Sequence, residues 1–308
     1  MTKKHELFCK LGGNDDRLPF IGTPVFQTAK GTRYLKGPYV ALTGLSSFDP
    51  GGIQEYLEGF DERLGFTHYL SDSWDLHDGS PVSSRELAVK HAGQGCYMSW
   101  GPKRTWNRDA DSYLGNIYNQ GHWSVLEHAT YTFFLSGSRT MSAELNRHRG
   151  LSPSERSQRY VTKDVLRFVE RPEFQRKENL HARFVRVIDL TYEQYEEIID
   201  DMKDLQEEQG LFKGKTKTES KKNVQQASRA LLLGCTETSG NWTGNARTWR
   251  HVIDARTRAD VKIEPEIRDV MIRVLLCLNR IDSLLFGDYA IVELEDGSYG
   301  TETPYRGA

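Results

Sequence analysis

One short run near the middle of the chain combines the side chains that proteins use to bind phosphate. From Arg147 to Tyr160 it reads Arg-His-Arg-Gly-Leu-Ser-Pro-Ser-Glu-Arg-Ser-Gln-Arg-Tyr. Arginine is charged at any working pH and presents a planar fork of donors. Several such forks held close together repel each other unless an anion lies among them. The anion could be a carboxylate of this protein, a nucleic acid or a small phosphate ligand.

The serines of this run bear on the choice between these anions. Ser152 and Glu155 have the spacing of a capping box, and Pro153 has the favoured first helical position, which predicts a helix beginning here. A solvated turn whose arginines pair with acidic neighbours is the simpler interpretation. Against it, the Ser157 hydroxyl and backbone N–H groups would complete a set of phosphate ligands. Arg139 would add a further charge, on a similar helix face about two turns before the run.

A second candidate lies at Gly121–His128, which reads Gly-His-Trp-Ser-Val-Leu-Glu-His. Ser124 and Glu127 again have capping-box spacing, which predicts the start of a helix. The free N–H groups of a helix start bind phosphate readily. His122, just before that start, could stack on a ligand ring. A purely structural helix start would have the same spacing.

The third candidate is the helix predicted over Gly244–Arg256. Arg247 and His251 are four residues apart and share one face of that helix. Arg256 lies about one and a half turns further on, and Arg229 lies upstream on another predicted helix. Because apolar side chains supply a separate face, the basic residues could equally form a solvated surface.

The elements that must position these residues are mostly helices. Besides the one above, helices are predicted at Ser84–Met98, Asp109–Gln120, Thr140–Arg147, Asn179–Gln209, Lys221–Leu233 and Glu266–Leu285. Strands are predicted at Tyr131–Leu135 and at Tyr289–Leu294, the latter followed by a turn. In the loop-rich first eighty or so residues a single helix is predicted, near Gly52–Leu64, and Lys213–Lys217 is predicted to be a basic connector. Many helices with few strands indicate the α+β class.

Composition excludes several broad classes. The formal net charge is −2, so there is no global attraction to nucleic acid or anionic lipid. No apolar run approaches membrane-spanning length, and no signal peptide is expected. The four cysteines are scattered without a CxxC pair, so neither a disulfide framework nor a metal site is expected. We therefore expect a soluble cytoplasmic protein.

Taken together, the three candidate clusters resemble the flavin-dependent thymidylate synthases. Arg147-His148-Arg149 followed by Ser157 satisfies that family's RHR-(x)7-S motif, and the order and spacing of the other clusters fit as well. The resemblance covers roughly Ala88–Phe286. It implies that family's α+β fold, mostly helical with a small mixed or antiparallel sheet. It also implies a catalytic domain at residues 81–308, preceded by an N-terminal extension of unclear role at residues 1–80.

The resemblance implies a reaction. Members of the family make dTMP from dUMP, taking a methylene group from methylenetetrahydrofolate. FAD, reduced by NADPH, passes hydride to the transferred carbon. The enzymes are homotetramers whose active sites lie where subunits meet. The same function is expected here, with no nucleic acid, membrane or metal partner.

The matched positions imply two sets of binding residues and one catalytic residue. The flavin set is His122, Ser124, Glu127, Arg147, His148, Arg149, Glu155, Asn245, Arg247 and His251. The dUMP set is Arg139, Glu144, Arg147, Glu155, Ser157, Gln158, Arg159, Arg229 and Arg256. Arg256 is the implied catalytic residue, because a fixed guanidinium beside uracil stabilises the charge that makes C5 nucleophilic.

Two other functions stay open. A pyrimidine-nucleotide hydroxymethylase would use the same pocket but release a 5-hydroxymethyl product. A non-catalytic nucleotide- or nucleic-acid-binding protein would use the arginine run on phosphates, and its binding to polynucleotides would fall steeply with salt. The net charge of −2 and the presence of all three clusters count against the second of these.

Overall fold

The computed structural model describes residues 2–69, 82–100, 110–160, 162–210 and 216–306. The helices in these ranges are α1 (Lys3–Lys10), α2 (Gly51–Glu58), α3 (Ser84–Tyr97), α4 (Ala110–Asn119), α5 (Arg139–Leu145), α6 (Pro172–Gln175), α7 (Glu178–Glu208), α8 (Lys217–Ser228), α9 (Ala246–Thr257), α10 (Pro265–Ile281) and α11 (Ser283–Phe286). The strands are β1 (Gly13–Asn14), β2 (Phe20–Ile21), β3 (Val25–Gln27), β4 (Arg33–Leu35), β5 (Tyr39–Leu45), β6 (Thr130–Ser138), β7 (Ser152–Glu155), β8 (Phe168–Val169), β9 (Glu237–Asn245), β10 (Ala290–Glu293) and β11 (Tyr299–Glu302).

The predicted α+β class is confirmed, as are most of the strongly patterned elements. Helices α3, α4, α7 and α9 lie where they were predicted, and β6 extends the predicted strand at both ends. The predicted C-terminal strand and turn are the hairpin of β10 and β11. The helix predicted near Gly52–Leu64 is shorter, since α2 ends at Glu58. Most of the predicted connector Lys213–Lys217 lies outside the described residues.

A six-stranded antiparallel sheet in the order β1-β2-β5-β6-β9-β7 forms the centre of the fold. β6 and β9 pair along their whole length. Because side chains alternate across a strand, Tyr131, Phe133 and Trp242 all point to the face that the helices cover, where they are fully buried. On that face the ring of Trp249 in α9 meets the ring of Phe133 edge-on at 5.1 Å.

Strands from the first 80 residues are built into the same sheet. β5 pairs with β6, and β2 and β1 continue the sheet beyond it. β4 pairs in parallel with β8 in a separate three-stranded sheet. Helix α1 contributes Leu7 and Phe8 to the main core. The N-terminal region is thus part of the framework that holds β6 in place.

The structure corrects the helix predicted to begin at Ser152. Ser152–Glu155 is strand β7, which pairs antiparallel with β9 and sets Glu155 opposite Gly240. The backbone groups that a helix would have satisfied are bonded within the sheet instead. Pro153 is tolerated because β7 is an edge strand. Tertiary pairing has therefore overridden a local capping signal.

Gly240 permits this pairing because it has no side chain. A Cβ at this position would lie 2.5 Å from the carbonyl oxygen of Ser154 and 2.7 Å from the Cα of Glu155. Both are backbone atoms of β7, which cannot turn aside as the tip of a side chain can. Any larger residue at position 240 therefore pushes β7 away from the sheet.

We expect Gly240→Ala to lower the free energy of unfolding by about 1–3 kcal/mol, because of this overlap. Denaturation by urea measures the change. The matched control is Gly52→Ala in α2, whose added Cβ meets nothing within 4 Å and should be neutral or slightly stabilising. An unchanged midpoint for Gly240→Ala would contradict the close approach of β7 to β9.

Candidate active site

Two helices that follow the paired central strands carry many of the candidate residues. α5 follows β6 directly and α9 follows β9 directly, and since these strands are antiparallel the helices begin at opposite ends of the pair. Each start is capped by a side chain. The Ser138 hydroxyl accepts from the Met141 N–H at 3.1 Å, and the Asn245 amide oxygen accepts from the Thr248 N–H at 2.8 Å. Asn245, expected in the flavin set, therefore also has a structural task.

The end of α9 meets the end of α5 at Arg256. Its Nε donates to Nε2 of His148 at 2.8 Å, and its guanidinium lies 3.0 Å from the carboxylate of Glu144. The Arg256 side chain is only 20% exposed, so water screens this contact weakly. The proposed catalytic arginine, one expected flavin residue and one expected dUMP residue thus lie in direct contact.

His148 takes part in this contact as a neutral acceptor. Burial, together with the charge of Arg256 and the nearby His251, lowers the pKa of the His148 imidazole to about 4. A neutral ring nitrogen can accept from a guanidinium, which itself stays protonated at any working pH. The rings of His148 and His251 meet edge-on at 6.0 Å, which brings His251 into the same cluster.

Other residues expected to hold the flavin line a cavity of about 700 Å³. His122, Ser124 and Arg247 contribute to its wall, as does Tyr97 at the end of α3. The rings of Tyr97 and His122 are stacked with centroids 5.8 Å apart, and the tyrosine hydroxyl lies 3.1 Å from Nδ1 of His122. The volume is within the range of about 300–1,000 Å³ that is typical of small-molecule and cofactor pockets.

Ser124 and Glu127 do not form the predicted capping box. Trp123–His128 is a 3₁₀ helix whose first turn has no side-chain cap. The Glu127 carboxylate instead pairs with Arg247 at 2.6 Å, so it cannot reach back to the helix start. The two side chains are 47% and 43% exposed, so the pair contributes little to stability and can reopen for a ligand.

Glu155 is held in place from two sides. Thr238 Oγ1 donates to one carboxylate oxygen at 2.9 Å, and Asn146 Nδ2 donates to the other at 3.0 Å. The Asn146 amide oxygen in turn accepts from Nε1 of the buried Trp242 at 2.9 Å. Sequence reasoning singled out neither Asn146 nor Thr238. For Asn146, the only signal in the sequence was its position directly before the Arg-His-Arg run.

The remaining phosphate candidates of the arginine run are open to solvent. The exposed residues are Arg147, Arg149, Ser157 and Arg159. Arg147 makes a loose contact with Glu144 at 3.8 Å. The side chain of Gln158 lies outside the described residues. One chain therefore brings Arg256, His148, Glu144 and His251 together but leaves much of the arginine run uncovered.

Arg139 contacts Leu232, the residue that follows the short turn carrying Arg229. Arg139 begins α5, and its guanidinium donates to the carbonyl oxygen of Leu232 at 2.9 Å. Arg229 opens the 3₁₀ turn that ends just before Leu232. α5 ends at Leu145, before the predicted end at Arg147. The prediction that Arg139 and Arg147 share one face of a helix is therefore wrong.

The described residues lack two features that would indicate other classes of protein. Within the described ranges, no helix combines the length and apolar character needed to cross a bilayer. The same ranges hold no group of His, Cys, Asp and Glu side chains that could bind a metal ion.

The same fold occurs in solved structures of another protein. Two crystal structures of the UMP/dUMP methylase PolB from Streptomyces cacaoi share the fold. The structure bound with 5-Br dUMP has a TM-score of 0.55 at 17% identity and covers 82% of this chain and 95% of that chain. The structure bound with 5-Br UMP has a TM-score of 0.53 at 18% identity and covers 82% and 94%. At such low identity the likeness concerns the fold alone.

Sequence comparisons give the family. A family model described as "Thymidylate synthase complementing protein" matches residues 81–282. The flavin-dependent thymidylate synthase of Mycolicibacterium gilvum is 36% identical over 231 residues, covering 75% of this chain and 90% of that protein. The one from Corynebacterium aurimucosum is 34% identical over 235 residues, with the same coverage of 75% and 90%. The chain therefore belongs to the flavin-dependent thymidylate synthase family.

We expect the pKa of His148 to be about 4 in solution and to rise when Arg256 is replaced by Gln, since a nearby positive charge disfavours the imidazolium. Because this pKa lies below its unfolded value of about 6.5, the group removes stability as the pH falls from about 6.5 to about 4. NMR titration of histidine-labelled protein measures the pKa of His148. Arg258→Gln, at an exposed ion pair with Asp260, is the control and should leave the value unchanged. A His148 pKa near 6.5 would contradict the contact.

Proposed function

We propose that this protein is a flavin-dependent thymidylate synthase that makes dTMP from dUMP by reductive methylation. Methylenetetrahydrofolate supplies the carbon, and NADPH supplies the hydride by way of FAD. Family membership supports the reaction class. The observation that carries the proposal is the contact of Arg256 with both His148 and Glu144, because it joins the proposed catalytic arginine to the Arg-His-Arg run in one site.

The cavity beside His122 has features that suit FAD. The stacked rings of Tyr97 and His122 offer a platform for a flat ring system, and Arg247 offers a fork of donors for a pyrophosphate. The residues that would hold the flavin are His122, Ser124, Glu127, Arg147, His148, Arg149, Glu155, Asn245, Arg247 and His251. Bound FAD supplies hydride chemistry that no amino-acid side chain offers. The side chains bind it, orient it and adjust the charge around it.

The second set of side chains would hold dUMP. Its members are Arg139, Glu144, Arg147, Glu155, Ser157, Gln158, Arg159, Arg229 and Arg256. Ser157 and Arg159 are exposed and combine a hydroxyl with a guanidinium, which suits a phosphate. Glu155 is already oriented by Thr238 and Asn146, so little side-chain entropy is lost when it accepts from the nucleotide.

Arg256 would act on the uracil. C5 of uracil must attack an electrophilic carbon, and negative charge spread over O2, N3 and O4 makes it a better nucleophile. A guanidinium fixed beside that charge stabilises it without exchanging a proton. His148 and Glu144 hold the Arg256 side chain in a defined orientation, so reorganisation during the reaction would be small.

The site would be completed by a second copy of the chain. Arg149, Ser157 and Arg159 are exposed, although ligands that require several charged contacts are usually enclosed. The homotetramer implied by the family resemblance, with active sites where subunits meet, would supply the opposite wall. This assembly is part of the proposal.

We expect the purified protein to be yellow and to convert dUMP labelled with ¹⁴C in the uracil ring to dTMP when methylenetetrahydrofolate and NADPH are present. Chromatography of the labelled nucleotides identifies the product. A 5-hydroxymethyl nucleotide as the main product would overturn the assignment. So would colourless protein that cannot be reconstituted with FAD.

We expect Arg256→Ala to lose at least about 100-fold in dTMP formation, the size typical of removing one charge-stabilising donor, while flavin stays bound. Flavin absorbance and single-turnover product formation measure the two properties separately. The control is Arg258→Ala, two residues further along, where an exposed pair with Asp260 is removed. Activity of Arg256→Ala close to that of Arg258→Ala would refute the role at the uracil.

A further inference from the structure

Two arginines that flank the segment Ser157–Arg159, which is proposed to bind the phosphate of dUMP, share one buried carboxylate. Arg156 stands directly before Ser157, and Arg167 follows the segment at a short distance in the chain. The guanidinium of Arg156 donates to one oxygen of Glu237 at 2.7 Å, and that of Arg167 donates to the other at 2.9 Å. Ser136 in β6 also donates to Glu237, at 2.6 Å.

Glu237 is the centre of this cluster. Its side chain is fully buried, whereas those of Arg156 and Arg167 are 28% and 32% exposed. Burial alone would raise the pKa of Glu237, but the Ser136 hydroxyl and the two guanidinium groups hold it below its ordinary value. The carboxylate therefore stays charged, and the cluster combines one negative with two positive groups.

Backbone hydrogen bonds tie both ends of the same segment to β9. The Arg156 N–H donates to the Ser239 carbonyl at 2.7 Å, and the Glu237 N–H donates to the Arg167 carbonyl at 2.8 Å. The Arg156 guanidinium also donates to the Glu237 carbonyl at 2.8 Å. The segment between the arginines thus begins and ends on the first residues of β9, and Ser157 is one residue from the attachment.

Neighbouring residues of β9 contact neighbouring residues of the arginine run, Glu155 and Arg156. Side chains alternate across a strand, so Glu237 and Thr238 point to opposite faces. Thr238 bonds Glu155, while Glu237 bonds Arg156. The relative position of Glu155 and Ser157 is therefore fixed by one short stretch of strand.

We infer that Glu237 is a positioning residue: through Arg156 and Arg167 it fixes the segment that presents Ser157 and Arg159 to the phosphate of the substrate. It does not touch the nucleotide itself. This inference rests on the proposed function, since it takes dUMP as the ligand. It assigns a task to three residues that lie outside both implied binding sets.

Arg156→Leu is the variant that tests it with the least disturbance of the fold. The change removes the hydrogen bonds of the Arg156 guanidinium to Glu237, but it leaves Arg167 and Glu237 as a neutral pair. We expect the dUMP KM to rise about tenfold while kcat changes by less than about twofold, the pattern of binding lost equally from the ground state and the transition state. Flavin content should match that of the unaltered protein. Arg156→Lys keeps a positive charge that can reach one carboxylate oxygen of Glu237. Its dUMP KM should therefore lie between that of the unaltered protein and that of Arg156→Leu.

The control is Arg171→Leu, which removes a guanidinium of similar exposure, 26%, that pairs with Glu173 and Glu264 instead. The dUMP KM of Arg171→Leu should stay within about twofold of the unaltered value, because the carboxylate partners of Arg171 are Glu173 and Glu264 and not Glu237. An unchanged KM for folded Arg156→Leu, or equal changes in Arg156→Leu and Arg171→Leu, would overturn the inference.

Calorimetric titration with dUMP separates this inference from the proposed function. If the unaltered protein binds dUMP but forms no dTMP, the proposed function fails, and the roughly tenfold weaker binding expected of Arg156→Leu still tests the positioning role. Equal dUMP affinities of the unaltered protein and Arg156→Leu would then overturn the positioning role of Glu237. If the unaltered protein does not bind dUMP at all, both fail.

Discussion

The antiparallel pairing of β6 with β9 is the constraint on which the candidate site depends. Each strand leads directly into a helix, so the pairing determines where α5 and α9 begin. The end of α9 then reaches the end of α5, where Arg256 contacts Glu144 and His148. The other edge of β9 receives β7, which brings Glu155 beside Thr238. A slip of one residue would turn every side chain of β9 to the opposite face, so this register is strongly specified.

Charge balance is the second constraint, and it separates the arginines into two groups. Some have a carboxylate partner within the chain: Arg156 and Arg167 with Glu237, Arg247 with Glu127, Arg250 with Asp288, and Arg256 with Glu144. Among the described residues, four arginines of the two proposed binding sets have no carboxylate partner: Arg139, Arg149, Arg159 and Arg229. We propose that these positions are available to phosphate groups of ligands or to a second subunit.

Elements with a strong local pattern could be predicted from the sequence. The long α7 has clear helical periodicity, and β6 has an aromatic run bounded by turn residues. The short strands β1 and β2 could not be predicted, because two-residue strands take their stability from neighbours that are distant in sequence. β7 was mistaken for a helix because Ser152-Pro153-Ser154-Glu155 has true capping spacing, whereas the deciding feature, Gly240, lies far along the chain.

The sequence could suggest residue types for the candidate site, but it could not give their partners within the chain. Arg247 and Arg250 are both basic residues of α9, yet one lines a cavity while the other is fully buried between Tyr118 and Tyr289 and is held by Asp288. The spacing between them gives no sign of this difference. Likewise, nothing local to Glu237 indicates that it joins two arginines, because both arginines lie far from it in the chain.

The most direct test of the proposed site is a crystal structure of the protein with FAD and dUMP. We expect the flavin to lie in the cavity beside His122 and a nitrogen of Arg256 to lie within hydrogen-bonding distance of a uracil oxygen. We also expect the nucleotide phosphate to lie at Ser157 and Arg159, from either the same or a neighbouring subunit. A structure in which dUMP binds elsewhere, with Arg256 contacting only Glu144 and His148, would contradict the proposed site.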